Sequence, residues 1–209
     1  MNGVTAQSLR KKGLNYHLNW GASLQHLQEM AQETKGEGLT ETELKELSLL
    51  LWKENIRECK ILATMLMPPE KFPADLAMLW VEQTPTQEIA EMAAMNLYRH
   101  LPYAKDMAFQ LIAQPYEMAQ LQGYCILARL FSEYELLPSF GGAGGGSFTD
   151  SEINEFIDQA QSAFKSSINP QTSDISHQPS SISLRHTILN AVTKLDQRLP
   201  ELKIISLFQ

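Results

Sequence analysis

The chain has little cysteine, no long apolar run and almost no alternating strand pattern, and each lack removes a class of protein. The two cysteines among 209 residues, Cys59 and Cys125, both sit among apolar residues at helical spacing, which excludes a disulfide scaffold and reads as buried free thiols. No apolar stretch approaches the roughly 18 residues needed to span a bilayer, so no membrane partner is expected. Arg10, Lys11 and Lys12, followed by Asn15 and His17, form no signal-peptide apolar stretch, and the expected location is the cytoplasm. The histidines His17, His26, His100, His177 and His186 have neither the H-E-x-x-H spacing nor the cysteine pair that a zinc site needs, so no metal and no cofactor is expected. A formal charge of −7 leaves nucleic-acid binding open, since a local basic stripe works on an acidic protein, but bulk charge does not argue for it.

What is present is helical periodicity. Hydrophobic residues make up 44% and charged residues 20% of the chain, ordinary values for a globular protein, and the length fits one domain spanning 1–209. Leu44, Leu47 and Leu51 recur at i, i+3 and i+7, as do Ile56, Cys59, Ala63 and Leu66, which marks amphipathic helices. The pattern returns in Met118, Leu121, Cys125 and Ala128, in Ile153, Phe156, Ile157, Ala160 and Phe164, and in Leu184, Ile188, Ala191 and Leu195. Thr40 with Glu43, and Thr149 with Glu152, have capping-box spacing. Pro85 and Pro115 are expected at first helical positions, where a missing amide hydrogen costs nothing.

Helices near Glu54, Pro85 and Pro115 start about thirty residues apart, with shorter helical segments near 71–82 and 103–112 between them. This repeated pair predicts an all-α fold, a HEAT-like helical repeat solenoid or α-α superhelix, because one pair cannot bury its own apolar face. An irregular helical bundle is the alternative. The glycine run at 141–146, within a loop near 139–149, and the Ser- and Pro-containing stretch near 166–182 are expected to be flexible connections. Trp52 and Trp80 read as core; Trp20, beside Gly21, stays open between core and stacking platform.

The segment Leu51-Trp52-Lys53-Glu54-Asn55-Ile56-Arg57-Glu58, and Tyr16 followed by Gly21, Leu24, Leu27 and Ala31, resemble the DNA alkylation repair (AlkD-like) HEAT-repeat family over roughly residues 14–131. That family cleaves alkylated bases from DNA, and its Trp-Asp-x-x-Asp motif falls on Gln87-Glu88-Ile89-Ala90-Glu91 here. The resemblance implies Glu88 and Glu91 as the catalytic carboxylates; a solvated helix face near a helix N-terminus is the bland alternative. Gln87 stands where the family has tryptophan, Asn190 stands near the position of a second one, and Leu121 or Gln122 near a phosphate-binding arginine. The expectation is a divergent DNA alkylation repair-like protein that binds damaged or duplex DNA, with excision of N-alkylated purines absent or far below that of family members.

For DNA, the candidate phosphate contacts are Lys53, Arg57, Arg99, Lys105, Arg129 and Arg185, since cations displacing counterions supply most of such affinity. Arg57-Glu58 within an apolar helix equally reads as an internal ion pair or a repeat-to-repeat hydrogen bond. A second function class fits the same pattern: a noncatalytic HEAT-like scaffold whose surface grips a protein partner.

Overall fold

A computed structural model describes residue 7 and residues 18–133, 148–167 and 181–208. The described residues are helical apart from turns, extended connections and one isolated parallel bridge between Leu18 and Ile56. The chain divides into two compact units, Met1–Tyr103 and Ala104–Gln209.

The first unit holds α1 (Leu24–Gly36), α2 (Glu41–Lys53), α3 (Arg57–Leu66), α4 (Ala74–Glu82) and α5 (Gln87–Asn96), with short 3-10 turns at Pro69–Lys71 and Tyr98–His100. Helix α2 starts as its sequence dictates: Thr40 and Glu43 complete a capping box, which satisfies amides the first turn leaves unpaired. Every residue of α3 is buried, so this helix is the axis of the unit, with α1, α2 and α5 packed around it. Its N-terminus lies at Arg57 rather than near Glu54, because Glu54 ends α2 and Ile56 adopts extended backbone. Pro85 and Pro115 also lie outside their helices: Thr86 is the N-cap of α5, its hydroxyl accepting the Ile89 amide, and the next helix starts at Glu117. A hydroxyl that accepts an amide proton satisfies a donor that a proline merely omits.

Four residue pairs in this unit, each joined through side-chain hydrogen bonds, lie a near-constant distance apart in sequence. Trp52 with Gln83, Arg57 with Glu88 and Phe72 with Tyr103 are each separated by 31 residues, and Thr64 with Asn96 by 32. The spacing of about thirty residues read from the sequence is therefore a register that joins α2 to the end of α4 and α3 to α5 within the first unit.

The second unit holds α6 (Ala104–Ile112), α7 (Glu117–Glu133), α8 (Asp150–Ser166), α9 (Ser181–Arg198) and 3-10 turns at Pro200–Leu202 and Ile204–Phe208. Helix α7 is its axis, with Leu121 through Ala128 all buried. Gly123 permits α6 to approach, since a Cβ there would sit 2.7 Å from Ile112 Cγ2 and 2.9 Å from the Ala108 carbonyl. Phe131 packs on Phe148 at 4.7 Å and edge-on to Phe156 at 4.9 Å. Each such buried ring contributes roughly 1.5–3 kcal/mol of transfer free energy. Thr149 and Glu152 form the second expected capping box, at the start of α8. The glycine run at 141–146 lies outside the described residues, as does most of the stretch near 166–182; α8 runs to Ser166 and α9 begins at Ser181. Cys59 and Cys125 are both buried and form no disulfide, and Trp52 and Trp80 are core residues, as their apolar settings predict.

Candidate functional site

A dense polar arrangement among the described residues of the first unit is built on the start of α3. Arg57 and Glu58 are successive residues in its first turn, both buried although charged. Burying ions costs several kcal/mol each unless partners replace the lost water, and partners are supplied here from two directions.

Toward α5, the Arg57 guanidinium meets Glu88 as a fork: Nε donates to Glu88 Oε2 at 2.8 Å and Nη2 to Oε1 at 2.6 Å. This is the geometry in which arginine binds a carboxylate most strongly. Toward the segment before α1, Nη1 donates to the Ala22 carbonyl at 3.1 Å and to Glu58 Oε1 at 3.3 Å. Glu58 in turn accepts three successive amides: Trp20 on Oε2 at 3.1 Å, and Gly21 and Ala22 on Oε1 at 3.0 and 3.2 Å. Converging three consecutive amides on one carboxylate needs a sharp bend, and Gly21 supplies it with φ +71°, a left-handed conformation in which other residues are strained. The Arg57 amide donating to the Leu18 carbonyl completes the clamp.

The clamp fixes an exposed edge. Along residues 18–20 the burial alternates as extended backbone requires: Leu18 is 38% exposed, Asn19 6% and Trp20 36%. Asn19 faces inward, its Oδ1 accepting the Gly21 amide at 2.8 Å. Leu18 and Trp20 face solvent together.

The two carboxylates singled out from the sequence are handled differently. Glu88 is engaged by Arg57 through both oxygens, whereas Glu91, half-buried, accepts from Gln87 Nε2 at 2.7 Å on its own helix. The shared helical face that their spacing predicts therefore meets α3 at its first carboxylate. Tyr98, a further aromatic in this unit, is fully buried in the core.

The cations expected to meet phosphate occupy varied settings. Lys53 and Arg129 are exposed, and Arg57 is buried as described. Arg99 donates to the neighbouring His100. Lys105 pairs with Glu152 at 2.7 Å, and Arg185 lies 4.7 Å from the centre of the Phe164 ring. Burial alone would raise the Glu152 carboxyl, but hydrogen bonds from Lys105 and Thr149 outweigh it and hold it below its ordinary value. Lys53, Arg57 and Arg99 belong to the first unit and Lys105, Arg129 and Arg185 to the second.

Sequence patterning passed over Lys60. It is buried on α3, its Nζ donating to the Trp52 carbonyl at 2.8 Å and lying 4.4 Å over the Trp52 ring. Trp52 stacks face to face on Trp80, with centroids 4.0 Å apart. The amine thus serves a carbonyl that the last turn of α2 leaves without an intrahelical donor. Burial pushes its pKa below the ordinary value, with Cys59 opposing the shift. An apolar period shows which positions face the core, and a lysine stem fits such a position without changing the pattern.

Among the described residues no group of histidine, cysteine or carboxylate side chains is disposed to hold a metal ion, and no helix is long and apolar enough to cross a membrane. Compared with known proteins, the chain matches no family model, no curated protein sequence and no solved structure.

Proposed function

We propose that the chain is a noncatalytic helical scaffold of the HEAT-like, α-α superhelix kind that grips a protein segment. The observation that carries this reading is the fork between Arg57 and Glu88. One of these residues is a candidate phosphate contact and the other a candidate catalytic carboxylate, and each is engaged by the other. Releasing either breaks a two-bond, charge-assisted fork between the buried Arg57 and the largely buried Glu88. A carboxylate so held is poorly placed to stabilise positive charge developing on a sugar. The register of 31 to 32 residues in the first unit supports the repeat architecture. Charge supports a protein partner over DNA: the chain carries a formal charge of −7, and a net negative field repels a polyanion.

The second reading, a divergent DNA alkylation repair-like protein that binds damaged or duplex DNA, is favoured by the exposure of Lys53 and Arg129. One experiment separates the two: binding to duplex DNA containing an abasic-site analogue at two salt concentrations, with base release from methylated duplex DNA by the natural protein and its Glu91→Gln variant. The scaffold reading expects weak binding and no release by either protein. Tight, salt-sensitive binding establishes the second reading, and robust release that collapses in Glu91→Gln makes the protein an enzyme.

A further inference from the structure

We draw no further inference here: the strongest candidate, the half-exposed Leu18–Trp20 edge that Glu58 holds ahead of α1, is an unpartnered face, and nothing in the structure shows what covers it.

Discussion

Replacing Glu58 by glutamine tests whether the clamp is a structural device, because it preserves the shape of the side chain and removes its charge. Glu58 Oε1 accepts from Gly21, Ala22 and Arg57, and Oε2 accepts from Trp20. A glutamine carbonyl seated at Oε1 keeps three of these bonds, but its amide nitrogen then points at the Trp20 N–H, and two donors face each other. One part-buried donor left unsatisfied costs about 1–3 kcal/mol. Of the three surviving bonds, the two from the Gly21 and Ala22 amides lose their charge assistance, which roughly halves each, for about another 1–2 kcal/mol in all, while the bond from Arg57 keeps its cationic donor. The expected loss is therefore about 2–5 kcal/mol, a large share of the roughly 5–15 kcal/mol that holds a typical domain together. The assay is urea denaturation followed by tryptophan fluorescence, which reports on the first unit alone because Trp20, Trp52 and Trp80 all belong to it. Amide exchange at residues 20–22 should accelerate in parallel. The exposed neighbour Glu54→Gln is the control, expected within about 0.5 kcal/mol of the natural protein. A loss under about 1 kcal/mol in Glu58→Gln, or unchanged exchange at residues 20–22, would refute the reasoning that this buried carboxylate holds the segment.

Two further outcomes follow from single positions. Gly123→Ala places a methyl group 2.7 Å from Ile112 Cγ2 and 2.9 Å from the Ala108 carbonyl; overpacking should cost about 1–3 kcal/mol, against at most about 1 kcal/mol regained in helix propensity, so circular-dichroism melting of the natural protein and variant should show a loss, and a gain would mean that α6 stands off from α7. Lys60 has a folded-state pKa below its ordinary 10.5, so as pH falls the unfolded chain takes up the proton first, and the lysine's contribution to stability rises with pH across the window just below 10.5; Lys60→Met should flatten that rise when denaturation curves are compared at neutral and alkaline pH, and parallel pH profiles would show that the amine is not perturbed.

Helix content was legible in the sequence because it depends on neighbours three and four residues apart. The faces of α7, α8 and α9, the capping boxes at Thr40 and Thr149, and the burial of Cys59, Cys125, Trp52 and Trp80 all follow from such local spacing. Helix starts were less legible, since Pro85 and Pro115 mark a change of direction that the next residue can complete, as Thr86 does for α5. The about thirty-residue spacing of segments was readable, but not what it brings together. Glu88 and Glu91 share a helical face by arithmetic, yet only tertiary structure gives Glu88 to Arg57, 31 residues earlier, and leaves Glu91 to Gln87 on its own helix. Likewise nothing near Glu58 in the chain announces that it will gather the amides of residues 20–22, or that Lys60 will reach back to a carbonyl of α2. Periodicity records which side of a helix faces inward; the partner of a buried charge is settled by which helix the fold lays against it, a long-range choice that no local pattern encodes.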